Sequence, residues 1–191
     1  MIYLATTAFY GAVNELSLMM FGKEVKPITK PSEILNDVEL LIFSGGADIS
    51  PTFYGEKNTY SHCNMYRDSI EEKLLKYVVP LDIPLFGICR GHQLISAYFG
   101  GKLHQDLNTN GISHAGYHDL ITKDLVYEVN SYHHQGVYIP AENQEIIGWH
   151  KEVSELTRGE NYPYVTTQFH PEFGCTPEVF NLVQELIKDI M

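Results

Sequence analysis

The stretch Gly87-Ile88-Cys89-Arg90-Gly91 follows the apolar run Ile83-Pro84-Leu85-Phe86 and sets a cysteine between two glycines, where a buried strand should give way to a helix. Gly-x-Cys-x-Gly in that setting is the thiol counterpart of the Gly-x-Ser-x-Gly elbow, a tight turn that lifts a nucleophile to the carboxyl edge of a sheet. The glycines remove side chains where strand and helix come close. A helix starting near Gly91 points its first amides and its dipole at the sulfur, which favours the thiolate. A cysteine that merely fills space in a core needs no such neighbours. Cys89 is therefore the candidate nucleophile.

A nucleophile of this kind requires a base, and Thr167-Gln168-Phe169-His170-Pro171-Glu172 supplies one. The residue before a proline is pushed towards extended geometry, so His170 and Glu172, two positions apart, project to the same side. A carboxylate beside an imidazole holds its orientation and stabilises the imidazolium. Acyl transfer also needs donors for the oxyanion. The amide of Arg90, immediately after the nucleophile, is one candidate. The glycine pair of Phe43-Ser44-Gly45-Gly46-Ala47-Asp48, after another apolar run, offers a second.

Working outward, the apolar runs Ile2 to Ala5, Leu40 to Phe43, Leu85 to Ile88, Leu125 to Val129 and Tyr164 to Phe169 predict strands. Helical spacing is found from Arg67 to Val78, from Gln93 to Phe99 and from Pro177 to Met191. The alternation predicts an α/β fold with a mainly parallel sheet. With 191 residues and no linker or repeat, one domain over 1–191 is expected. The polar segment Gly148 to Pro163 reads as a hairpin or surface loop.

The formal net charge of −11 disfavours nucleic acid and anionic membrane surfaces as partners. Cys63, Cys89 and Cys175 are odd in number and widely spaced, which argues against a disulfide framework. With no secretory leader pattern at the start and no long apolar segment, the expected compartment is the cytoplasm. Among nine histidines, the spacing His114-x-x-x-His118 and the pair His133-His134 lack a third ligand at fitting spacing, so no metal is expected and His114 and His118 read as loop or pocket-wall residues.

Six segments in order resemble the class I glutamine amidotransferase-like superfamily, and more narrowly the gamma-glutamyl-gamma-aminobutyrate hydrolase family. They are Ser44 to Pro51 with Tyr54-Gly55-Glu56; Arg67-Asp68 with Glu71; Gly87 to Gln93; Gly100 to Leu107; Val129 to Gln135; and Gln168 to Glu172. The resemblance implies a three-layer flavodoxin-like sandwich and a Cys89, His170, Glu172 triad. It also implies an oxyanion hole from the amides of Gly46 and Arg90, and a γ-glutamyl pocket with Gln93, Ser131 and Tyr132 as substrate contacts. Similar proteins cleave a γ-glutamyl amide through a glutamyl thioester and need no cofactor. The segments Ala8 to Lys30 and Gly148 to Pro163 match the family poorly, which leaves the amine on the substrate open.

Three readings are compatible with these residues. The first is an independent γ-glutamyl amide hydrolase acting on a small molecule, favoured by the resemblance at Arg90 and at Asn130 to Gln135. The second is a glutaminase subunit passing ammonia from glutamine to a synthetase or amidoligase partner. The third is a non-catalytic binding protein on the same fold. Whether the chain forms a homodimer is open.

Overall fold

A computed structural model describes residues 1–112 and 115–191, so His114 lies outside the described residues. The strands are β1 (Ile2–Ala5), β2 (Val25–Ile28), β3 (Leu40–Phe43), β4 (Leu85–Ile88), β5 (Lys102–His104), β6 (Ala115–Thr122), β7 (Val126–Tyr132), β8 (Gly136–Ile139), β9 (Gln144–His150), β10 (Val153–Gly159) and β11 (Tyr164–Thr167). The helices are α1 (Tyr10–Phe21), α2 (Met65–Val78), α3 (Arg90–Tyr98) and α4 (Pro177–Ile190).

Nine strands form one sheet in the order β2-β1-β3-β4-β11-β10-β9-β6-β7, and β5 pairs separately with β8. From β2 to β11 every neighbour is parallel, in the strand order of flavodoxin-like folds. From β11 to β7 every pairing is antiparallel, so the sheet is mixed and its parallel half carries the expected architecture.

Alternation along the short parallel strands sends successive side chains to opposite faces. Ile2, Leu4, Leu40, Ile42, Phe86 and Ile88 pack against α1 and α4. Tyr3, Ala5, Leu41, Phe43 and Leu85 pack against α2 and α3. The result is the three-layer α/β sandwich expected from the sequence. All four residues of β1, β3, β4 and β11 are buried, which is why β1 and β3 read as continuous apolar runs, while β11 ends in the buried pair Thr166-Thr167.

The segment Gly148 to Pro163 is a hairpin rather than a surface loop. Its second arm, β10, is buried from Val153 to Thr157, with Ser154, Glu155 and Thr157 inside. Their polar side chains hide the strand pattern. Thr157 Oγ1 is 2.5 Å from Thr166 Oγ1 and accepts from Gln144 Nε2 at 2.8 Å, so this polar interior is hydrogen-bonded.

Between α2 and the sheet lie four buried charges. Arg67 donates to Glu71 Oε1 at 2.7 Å, Arg90 donates to Asp68 Oδ1 at 2.5 Å, and Arg90 also pairs with the second oxygen of Glu71. Arg67 further donates to the carbonyls of Gly45 (2.7 Å) and Ser44 (2.8 Å). Two cations and two anions thus cancel in a dry interior, and each is costly to leave without its partner. Glu71→Ala leaves two guanidinium groups facing no carboxylate on that side and should lower stability by about 3–5 kcal/mol in urea unfolding. A loss below about 1 kcal/mol, the range of an exposed pair, would contradict this role for the network.

No helix among the described residues is long and apolar enough to cross a membrane.

Candidate active site

Three strands that are neighbours in the sheet end at one place. Ser44 to Gly46 follow β3, Cys89 follows β4, and His170 lies three residues beyond β11. Ligands of open α/β sheets collect beyond the carboxyl ends of the strands.

Cys89 has φ 51° and ψ −101°, a left-handed backbone that a residue with a Cβ adopts only under constraint. The constraint is local. A Cβ on Gly91 would stand 2.0 Å from the carbonyl oxygen of Phe43, and one on Gly87 would stand 2.7 Å from the Gly91 carbonyl. Strand and helix therefore close to a separation that only glycine allows, and the turn between them carries the sulfur. The Cys89 amide donates to Thr167 O at 2.6 Å, which ties the turn to β11. As the first residue of α3, Arg90 has an amide with no acceptor within the helix. Its side chain points away, into the charge network described above.

His170 is buried, and its Nδ1 lies 2.7 Å from Glu172 Oε1. The proline between them begins a short 3-10 turn that brings the carboxylate back under the ring. Burial opposes charge on the imidazole. Hydrogen bonding and charge from Cys89 and Glu172 outweigh it, pushing the His170 pKa up to about 10. Asn130 fixes the backbone here: it accepts from the His170 amide at 2.8 Å and donates to the carbonyls of His170 (2.8 Å) and Gly174 (2.9 Å). The ring stacks on Phe173 with centroids 5.1 Å apart, and Phe9 and Tyr132 meet it edge-on at 6.3 and 5.8 Å. A Cβ on Gly45 would stand 2.6 Å from His170 Cε1, so the glycine pair makes room for the imidazole.

The other expected contacts are placed as follows. Gly46, at φ 141°, sits in the loop held by Arg67. Tyr132 is exposed beside His170. Ser131 is buried on β7. Gln93 is buried, with its amide nitrogen donating to Gln135 O at 3.2 Å and Gln168 Oε1 at 3.1 Å. His92, next in sequence, is no rival base. It is enclosed between Thr166 and Ser154, and burial lowers its pKa to about 3. His134 pairs with Asp48 at 2.9 Å, joining the 133–135 segment to the loop after β3.

Sequence reasoning did not assign positioning roles to Asn130, Phe9 and Phe173. The motif Val129 to Gln135 marks Asn130 as notable, but only the fold brings it to His170.

A model of the Peptidase C26 family matches residues 8–125, which is most of the chain, and the chain belongs to this family of class I glutamine amidotransferase-like proteins. A glutamine amidotransferase-like protein of Lactococcus lactis, YvdE, is 29% identical over 178 residues, covering 81% of this chain and 75% of that one. A subunit of the glutamine-hydrolysing GMP synthase of Archaeoglobus fulgidus is 33% identical over 99 residues, covering 49% and 44%. Among solved structures, a GMP synthase subunit protein of Thermoplasma acidophilum superposes with a TM-score of 0.72 at 19% identity, covering 99% of this chain and 92% of that one.

The charged form of His170 makes a linkage prediction. Because its pKa is raised from 6.5 to about 10 on folding, the associated stability is fully present below pH 6.5 and is lost as pH rises through about 10. An NMR titration of His170 should find a midpoint far above the ordinary histidine range, and Cys89→Ala and Glu172→Gln should each lower it. A midpoint near 6.5 in the unaltered chain would show that the ring does not interact with both groups.

Proposed function

We propose that this chain hydrolyses γ-glutamyl amides through a glutamyl thioester on Cys89, with no cofactor. The observation that carries the reading is the strained turn at Cys89 facing an imidazole that is itself bonded to a buried carboxylate. Cys89 gives its thiol proton to His170 as Sγ adds to the γ-carbonyl, and the amides of Gly46 and Arg90 take the oxyanion. His170 delivers a proton to the departing amine as the C–N bond breaks. It then withdraws a proton from water, which attacks the thioester; the C–S bond breaks, glutamate leaves, and His170 returns the proton to the Cys89 sulfur. Glu172 holds the ring in place for both transfers. Gln93 and the Ser131-Tyr132 backbone are the candidate contacts for the glutamyl α-amino and α-carboxylate groups, and the Gln93 amide nitrogen also donates to Gln135 O and Gln168 Oε1.

The gamma-glutamyl-gamma-aminobutyrate hydrolase branch fits the motif at Asn130 to Gln135. A second reading has a specific support: a relative is one subunit of a glutamine-hydrolysing synthase, which makes an ammonia-donating role with a synthetase partner the competing assignment.

Steady-state glutamate release from glutamine, γ-glutamyl-γ-aminobutyrate, γ-glutamyl polyamines and a γ-glutamyl dipeptide separates the two. A γ-glutamyl amine cleaved faster than glutamine supports the hydrolase. Activity on glutamine alone, rising with a partner, supports the ammonia-donating role. Cys89→Ala and His170→Ala should fall to background, and Glu172→Ala should retain more activity. Normal turnover by Cys89→Ala would end both readings.

Gly45→Ala tests the packing around the base. The added methyl meets the His170 ring, so kcat/KM should drop about 100-fold, with a stability loss of about 1–3 kcal/mol in urea unfolding from the overpacking. Unchanged kcat/KM would mean that the ring position is not critical.

A further inference from the structure

Sequence spacing grouped His118 with His114 and His133 with His134. The fold instead brings His118 of β6, His133 just beyond β7 and Glu155 of β10 together, with one ligand atom from each lying within 4.8 Å of the others. His118 Nε2 is 3.2 Å from Glu155 Oε2, and His133 Nε2 is 3.8 Å from Glu155 Oε1. The three side chains are 5%, 2% and 0% exposed. We propose that His118, His133 and Glu155, none of them a member of the Cys89, His170, Glu172 triad, form a binding site for a divalent first-row metal ion of the zinc type.

Three features show how the site is built. The first is its place in the sheet. Among the described residues the backbone of the hairpin β6–β7 pairs with β9 at Ile121 with Trp149 and Thr122 with Gly148, and His150 Nδ1 lies 3.0 Å from the carbonyl of Asp119. The cluster links the hairpin to β10, which is not its neighbour in the sheet, and a metal there would fasten the two together. The second is the backbone at Glu155. Ser154 pairs with Trp149 and Leu156 with Gly148, so Glu155 is the extra residue of a β-bulge. Bulges of this sort re-aim a side chain. The carbonyl of Glu155 is nevertheless held by the Gln168 amide at 2.7 Å.

The third is the orientation of His133. Its Nδ1 lies 2.8 Å from the carbonyl of Gln135, which can only accept. Nδ1 therefore donates to that carbonyl, and Nε2 is the ring nitrogen directed towards the carboxylate. That is the outer hydrogen bond by which metal-binding histidines are oriented. Donors on a tetrahedral zinc lie about 3.4 Å apart, from bonds of about 2.0–2.1 Å. The two histidine nitrogens lie 3.2 and 3.8 Å from different oxygens of Glu155, and one ligand atom from each residue lies within 4.8 Å of the others, so the three donors converge on one small volume. Two histidines and a glutamate form a donor set of the zinc type, with remaining positions left to water. The competing account is a proton in place of the metal, with an imidazolium paired to Glu155.

The test uses the full-length Cys89→Ala chain, so that the reactive thiol cannot act as a ligand. After treatment with a chelator, it is titrated with zinc chloride by calorimetry and with cobalt(II) by visible absorption. The proposal expects one equivalent of zinc, a raised melting temperature, and cobalt ligand-field bands without a sulfur-to-cobalt charge-transfer band. Glu155→Gln and His118→Asn should each weaken binding by at least ~100-fold. Their metal-free circular dichroism shows whether they fold. Absence of both cobalt bands and zinc heat in the Cys89→Ala chain overturns the proposal whatever the variants do. Binding that both substitutions leave unchanged in folded protein overturns it too.

Discussion

The arrangement beyond the strand ends depends on the four charges Arg67, Asp68, Glu71 and Arg90, which neutralise one another where water does not reach. One guanidinium holds the carbonyls of Ser44 and Gly45, and the other belongs to the residue that follows Cys89. Helix α2 thereby fixes two neighbouring loops relative to each other, and these loops carry both amides proposed for the oxyanion. Because removing one charge leaves its partner buried and alone, the network tolerates little local rearrangement.

Around that frame, backbone sterics place the sulfur. The Gly91 backbone lies so near Phe43 that no side chain fits between them, and Cys89 takes up a left-handed conformation at the turn. His170 reaches the same place from β11, clamped by Asn130 at the backbone and by Phe173 at the ring. Much of the positioning is done by groups that have no part in proton transfer.

The parallel half of the fold is legible in the sequence because its strands are buried on both faces. Ile2 to Ala5 and Leu40 to Phe43 are written as unbroken apolar runs and match the strands residue for residue. The candidate triad is legible because its turn residues are chemically unusual: two glycines around a cysteine, and a proline between histidine and glutamate. Helix α1 escapes a reading of the sequence; its exposed face carries Leu18 and Met19, which blurs the polar side. Strand β10 is obscured by Ser154, Glu155 and Thr157, polar residues whose burial depends on partners distant in sequence. The same blindness conceals the link between His118 and His133, since the residue that joins them is Glu155.

The most direct test of the assignment to Cys89 is covalent trapping by an electrophilic glutamine analogue, with the modified residue located by peptide mass spectrometry. The account predicts a single adduct on Cys89, blocked by excess γ-glutamyl substrate and absent from Cys89→Ala. No adduct on Cys89, with labelling confined to Cys63 or Cys175, would contradict it.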